Sequence, residues 1–501
     1  MSKKKNVKRA PEDRSLKKTV DLRETVTDWY LFLMLLAYCL WSPATLADVA
    51  EPKFLFFAAS TLLWVVLLVI FSFMEGPLVG FFTPARIAAT VFAAVCTLSA
   101  VLSPFSFGEV IIGHRYSGLL TQLLLALILI GVSRFGHCKE RHFLAFGFSI
   151  TALCVICMLQ KLGLNAFGLY YGDMNYYDNQ AFLGTIGNID TLSALIGLSV
   201  PLFLGLFVKM GAPWDKLYLI PLFFSGMLLT AGGAEAGLLG VGVVSVFVPA
   251  FLVRSMKDLR RTLGGAALLL AGAAIGNGLK GSMDDGAFSL RFEFGLLTVA
   301  CLVLAAVFGA AFWLLRFIRR SPSERVFRNV FIVFAAVAVI GALTAVWFWP
   351  GEEGTIYEAR EILHGHFEDR YGNARIGIWR VTLQNVPERP LLGGGPGTLH
   401  LRTVYYSNAG VANLAHNVYL QYLVDTGFLG LLSYLGVIVT AVFVRRRGHW
   451  QPATAALIIA ALSYAVQDFF NLGVTIVSPF FWIVLGLLQT DTHEKPETAL
   501  P

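Results

Sequence analysis

The residues able to do chemistry in this sequence collect around one turn of chain. In NLAHNVYLQYLVDTGFLGLL, Asn413 to Leu432, His416 and Asn417 stand at the mouth of an otherwise apolar segment, and Gly427 and Gly430 follow inside it. The long polar connection before it, from Pro350, holds Arg360, Arg370, Arg375, Arg380, Arg389 and Arg402 together with His364, His366 and His400. Shorter connections add His114, Arg115 and Arg291. Near neutral pH an imidazole can take a proton from a hydroxyl. A guanidinium presents a fork of N–H donors that matches phosphate oxygens. These residue types point to group transfer from a phosphate-bearing donor to a hydroxyl, with histidine as base and arginine as clamp.

The elements that must position them belong to a membrane. Of 501 residues, 56% are hydrophobic and 14% charged, and mean hydropathy is +0.68; a soluble domain carries about a quarter charged residues. A bilayer core about 30 Å thick takes roughly 20 apolar residues per helix, and lipid offers no partner to an open backbone. The apolar runs lack the alternation of barrel strands. They predict helices near 27–49, 53–74, 86–103, 118–134, 142–161, 190–208, 215–231, 236–254, 262–278, 293–317, 328–349, 420–444, 452–470 and 475–490. The expected fold is therefore an all-α polytopic membrane protein with about 14 transmembrane helices and one large extracytoplasmic loop. Its parts are a basic cytoplasmic tail over 1–26, helices over 27–350, the loop over 351–419, further helices over 420–490, and a cytoplasmic tail over 491–501.

Charge sets the orientation, because cytoplasmic connections collect Lys and Arg. The leading tail MSKKKNVKRAPEDRSLKK is basic, and so are SRFGHCKERH, VKMGAPWDK, VRSMKDLRR, RFIRRSPSERVFRN and VRRRGHW, at every second connection. The intervening YYGDMNYYDNQ and MDDGAF are acidic or neutral. Both termini are thus expected inside, and the net charge of +7 is mostly topology rather than a nucleic-acid surface. The first apolar run follows a polar tail without a small-residue cleavage site and reads as a retained span. Of the six cysteines, Cys39, Cys96, Cys154, Cys157 and Cys301 fall inside spans and Cys138 in a cytoplasmic connection, so no disulfide framework is implied. The Arg- and His-rich loop faces outward, where there is no ATP and no nucleotide sugar. A donor used there must arrive already activated and carried by the membrane, and a lipid pyrophosphate meets that requirement.

RIGIWR…ERPLLGGGPGT…AHNVYLQYLVDTGFLGLL resembles the signature of the O-antigen ligase / Wzy-type polymerase superfamily. Arg375 precedes Trp379; Gly393, Gly395 and Gly397 form the glycine turn; His416–Asn417 leads to Gly427 and Gly430. GHRYSGLLT and GTIGNIDTLSALIGLSVPL are similar to two further pieces of that pattern, and the ligase-like region covers approximately 225–440. The resemblance implies a GT-C-like membrane glycosyltransferase of the bacterial plasma membrane that works without metal or cofactor and inverts the anomeric centre. It would move a glycan from an undecaprenyl-pyrophosphate-linked donor to a hydroxyl of a glycan or lipid-linked acceptor. On this reading His416 is the base, Arg375, Arg115 and Arg380 serve the pyrophosphate, and Asn417, Gly427 and Gly430 support them. One position departs from the pattern: TAGGAEAGLLG carries Glu235 where the family often has arginine.

Each assignment has a plainer competitor. His416 could bond a loop carbonyl, and Asn417 could orient it or cap a helix. Arg375 and Arg380 lie five apart and do not share a helical face, so one could face the site while the other pairs with an acid such as Glu388. Arg115 could anchor at the interface. GGGPGT could cradle phosphate as a nest, or simply turn the chain. His364 and His366 could converge on a metal, though a solvated loop is the plainer reading. Tyr171, Tyr176 and Tyr177 could stack sugars or form an interfacial belt. The glycines Gly427 and Gly430 would let their helix approach a neighbour closely. The rival function is a transporter or flippase of lipid-linked oligosaccharide. Such proteins place polar residues at mid-membrane and show internal repeats, and neither is seen here.

Overall fold

The computed structural model describes residues 21–42, 49–76, 82–164, 167–168, 184–211, 213–231, 235–284, 287–318, 320–402, 405–407, 410–411, 413–444, 452–473 and 475–490. The first helices are α1 (Leu22–Leu33, continued by a π-helical turn to Tyr38), α2 (Ala50–Glu75), α3 (Pro84–Val101), α4 (Phe107–Ile112) and α5 (Leu119–Phe135). Next come α6 (Glu140–Lys161), α7 (Ile189–Lys209), α8 (Leu219–Ala231), α9 (Glu235–Leu252) and α10 (Met256–Gly278). A hairpin of β1 (Leu279–Asp284) and β2 (Ala287–Phe292) leads to α11 (Leu296–Leu314) and α12 (Glu324–Trp347). The long loop holds α13 (Thr355–Leu363), α14 (Arg375–Gln384) and the short pair β3 (Tyr405–Ser407) and β4 (Gly410–Val411). The chain closes with α15 (Val418–Phe443), α16 (Pro452–Gln467) and α17 (Ser478–Leu488).

Each apolar segment expected from sequence carries a helix: α1 to α3, α5 to α12, and α15 to α17. Crossing a membrane is a stricter demand. Among the described residues seven helices are long and apolar enough: α2, α3, α6, α7, α11, α12 and α15. An eighth arises if the stretch 107–116 and α5, bent by 69° to each other, form one span. Three others are short or open on charge. With 11 residues α17 rises only about 16 Å, and α16 has 16 residues; α10 opens on Lys257, Asp258, Arg260 and Arg261. The all-α expectation also needs correction, because two small antiparallel hairpins occur in polar connections, where no apolar run competes for the chain.

At the centre, α7 is buried along its whole membrane-length window, whereas α11 and α12 are almost bare and present their apolar side chains outward, as lipid-facing helices do. Pro201 in the middle of α7 has no N–H to give the Gly197 carbonyl one turn back. Ser463 of α16 supplies the missing donor, its Oγ 2.7 Å from that oxygen. Gly205 sits against Ala456, so small residues bring these two backbones together.

The two ends of α7 carry different chemistry. At its last turn Lys209 pairs with Asp258 (2.8 Å), and nearby Arg261 pairs with Asp215. Just before and within the first turn of α6, Lys139, Arg141 and His142 converge on Asp28 of α1. At the opposite end of α7, about 30 Å away for a helix of 21 residues, the first turn holds Asp190, which pairs with Arg375 of the long loop. The basic connections and the Arg–His loop are thus gathered at opposite ends of the same helix. Single cysteines at Glu353 and Lys4, in a cysteine-free background, are expected to differ in labelling by an impermeant thiol reagent on intact cells, with only the Glu353 position reacting. Equal labelling would overturn the orientation read from charge.

Candidate active site

The glycine turn and the helix after His416 form one unit. Gly427 interrupts α15 with φ 69° and ψ −172°, a conformation open in practice only to glycine. The break frees backbone groups inside a buried helix, and Pro390–Gly395 accepts all of them. Phe428 and Leu429 donate their N–H groups to the carbonyls of Pro390 (2.8 Å) and Leu391 (3.2 Å). In return Gly394 and Gly395 donate to the carbonyls of Val424 (3.2 Å) and Asp425 (2.7 Å). A Cβ on Gly427 would lie 2.2 Å from the Leu391 carbonyl carbon, so the turn is seated directly on the break. From α3, Ser99 and Ser103 donate to the Leu392 and Gly394 carbonyls. The role of the two glycines therefore differs from the helix-to-helix approach expected: Gly427 receives the turn, and the space beside Gly430 is taken by Thr426 of the same helix.

The far side of the turn reaches the Arg115 segment. His114 donates its N–H to the Gly397 carbonyl (3.0 Å), and Gly113 abuts Gly397. Gln122 ties the Ser117 carbonyl to the Tyr422 hydroxyl of α15, at 2.9 Å each. Arg115 and Tyr116 are both left-handed, with φ 49° and 61°, as this short crossing requires.

His416 is held by its neighbours in the chain. Asn417 is the N-cap of α15, its side chain accepting from the Leu420 N–H at 3.0 Å. The Ala415 N–H donates to Gln421 Oε1 (2.9 Å), and Gln421 Nε2 donates to Asp425 Oδ2 (2.7 Å), which also accepts from the Gly397 N–H (3.0 Å). His416 itself is left-handed at φ 48°, a conformation that costs energy and clusters at functional sites. Its ring is half-buried, and no hydrogen-bond partner for it is found among the described residues. Burial first, then the charges of Arg375 and Arg115, hold its pKa below histidine's usual 6.5, against an opposing pull from Asp190.

Of the outer arginines, two act on this imidazole. Arg375 opens α14 and reaches Asp190 at 3.3 Å and the Gly372 carbonyl at 3.1 Å, while its buried Nε has no partner among the described residues. One turn on, the indole N–H of Trp379 is likewise buried and unmatched. Two orphaned donors on one helix face are suited to oxygen atoms of a ligand. Arg115 is exposed and forms no ion pair among the described residues. Arg380 does not join them: five residues past Arg375 it points elsewhere and pairs with exposed Asp369 at 2.5 Å, rather than with Glu388. Arg291 lies on the hairpin strand β2, 78% exposed beside Glu293. Arg360, Arg370, Arg389 and Arg402 are engaged with Glu361, Glu368, the Leu102 carbonyl and the Asn385 carbonyl. His364 lies against Trp347 and His366 pairs with Glu361, and among the described residues no group of three metal ligands forms. Glu235 opens α9, its side chain outside the described residues, and the tyrosine-rich loop also lies outside them.

Reading the sequence alone missed Asp190 and Gln421. Asp190 follows Asn188, the N-cap of α7, and an acid in a first helical turn is ordinary enough to carry no signal. Two cavities adjoin the cluster. One of about 560 Å³ is bounded by the Gly113–Tyr116 segment, the start of α7 and His400. The other, about 480 Å³ and almost wholly apolar, lies between α9 and α16 and reaches Tyr419, three residues past His416.

Residues 295–435 match the model of a family described as O-antigen ligase. The match takes in Arg375, His416, Asn417 and the glycine turn with its helix break, and leaves Arg115 and Asp190 outside. No curated protein matches the chain.

Proposed function

We propose that this chain, whose residues 295–435 match the O-antigen ligase family, is a membrane enzyme of polysaccharide biosynthesis that carries out a GT-C-type inverting transfer at the outer face of a bacterial plasma membrane. The donor is a glycan on undecaprenyl pyrophosphate, and the acceptor is a hydroxyl of a second glycan or of a lipid-linked sugar. His416 takes the acceptor's proton as its oxygen attacks the anomeric carbon. The bond from that carbon to the pyrophosphate oxygen breaks, and the electron pair leaves with the lipid pyrophosphate. Arg375 and Arg115 stabilise the charge that develops there, with the Arg375 Nε and Trp379 N–H as further donors. The reaction as written needs no metal, since two guanidiniums supply the positive charge.

The observation that carries this reading is the shared field. Residues 115, 375 and 416 are far apart in the chain, yet both guanidiniums act on one half-buried imidazole. A base kept neutral beside cations suits deprotonation of a hydroxyl next to a leaving anion. The test is the full chain reconstituted in vesicles with a defined lipid-linked glycan and acceptor. New glycosidic bonds with release of lipid pyrophosphate are expected; relocation of the lipid across the bilayer without bond formation would establish the transporter reading instead.

A further inference from the structure

The 560 Å³ cavity falls in the size range of small-molecule sites, and its lining is unlike that of the second cavity. Its lining combines the aliphatic Val49, Ile112 and Ile186 with the polar His114, Arg115, Thr191 and His400. The imidazoles of His114 and His400 stack with centroids 4.8 Å apart. His400 Nδ1 lies 3.1 Å from the Gly397 carbonyl, which can only accept, so Nδ1 carries a proton and Nε2 is not used by that contact. Burial, then His400 and Arg115, push the pKa of His114 down to about 4. His114 is therefore neutral at physiological pH. A lining that mixes aliphatic side chains with polar ones suits a sugar ring, which has hydroxyls at its edge and C–H groups on its face. Arg115, in the same lining, is also one of the charges that act on His416.

We propose that this cavity, walled by the stacked His114–His400 pair, is the saccharide subsite that receives the donor sugar adjoining the pyrophosphate. The assignment rests on the proposed function. It divides the substrate between two compartments: the sugar in the polar cavity beside Arg115, and the polyprenyl chain beside Tyr419 in the apolar one. Because Gly397 accepts from both histidines, the glycine turn sets the cavity wall as well as the helix break.

The test uses the full chain in lipid nanodiscs with two ligands, undecaprenyl pyrophosphate bare and the same lipid bearing its glycan. His400→Phe keeps a stacked ring of similar size and removes both nitrogens. It is expected to weaken the glycan-bearing lipid about tenfold, the worth of one or two hydrogen bonds, and to leave the bare lipid unchanged. His114→Phe is expected to do the same. Equal weakening of both ligands, or no change in either, would overturn the subsite. If the unsubstituted protein binds neither lipid, the proposed function fails and the subsite with it. If it binds both and forms glycosidic bonds while the two variants are silent, only the subsite fails.

Discussion

His416→Ala is expected to lower turnover by about 10²–10⁴-fold, the usual worth of a general base, while binding of lipid pyrophosphate stays nearly intact. A base acts mainly in the transition state, whereas an arginine clamp also holds the ground-state pyrophosphate. Arg375→Ala should therefore weaken donor binding as well as turnover. Arg375→Lys should recover part of it, because an ammonium keeps the charge and loses the fork. Removing Arg375 also leaves Asp190 without its partner, so the double variant Arg375→Ala with Asp190→Asn separates that cost from the loss of the clamp. The pH profile adds a second readout. The pKa of His416 lies below 6.5 because of burial and then the cations beside it, so the acidic limb of activity should fall below that value. Deleting the Arg375 charge should move the limb upward. Single-turnover transfer measured beside donor binding checks both. If His416→Ala loses binding and Arg375→Ala keeps it, the two roles are reversed.

Gly427→Ala is expected to be strongly damaging for the change of a single methyl group. The conformation at φ 69° and ψ −172° costs a residue with a Cβ about 1–3 kcal/mol. That Cβ would also meet backbone, 2.2 Å from the carbon and 2.3 Å from the oxygen of the Leu391 carbonyl, where no side chain can swing aside. The turn must then leave the break, stranding the Phe428 and Leu429 N–H groups and the Val424 and Asp425 carbonyls in a buried segment. A large drop in thermal stability in detergent and loss of transfer are expected together. Gly436→Ala is the control in the same helix: nothing lies within 4 Å of its Cβ position, and alanine is the better helix former, so stability should hold or rise. Equal behaviour of the two variants would contradict the seating of the turn on Gly427.

Much of the architecture was legible in the sequence because hydropathy and chain length are local properties. Each long apolar run is a helix, and YEAREILHGHF and RIGIWRVTLQNV, read as helices of the loop, became α13 and α14. How many helices cross was less legible. Composition does not tell a full span from a short buried helix such as α17. The hairpin of β1 and β2 was missed although Phe288, Leu290 and Phe292 alternate with Ser289 and Arg291, because so short an alternation leads almost directly into the apolar run of α11.

By itself the sequence determined the membrane class, the segregation of charge between alternate connections, and the residue types available for chemistry in one loop. Those follow from what each segment must do against lipid or water. Only the tertiary structure decided which of those residues meet. Arg375 and Arg380 are equivalent in type and five positions apart, yet the packing of α14 against α15, Ile378 and Val381 beside Ala415 and Val424, turns one to Asp190 and leaves the other with Asp369. Gly427 reads in sequence as a small residue for close helix contact. It became the seat of a turn some thirty residues upstream because a broken helix in a dry interior must find partners for its freed backbone groups, and only the folded chain supplies them.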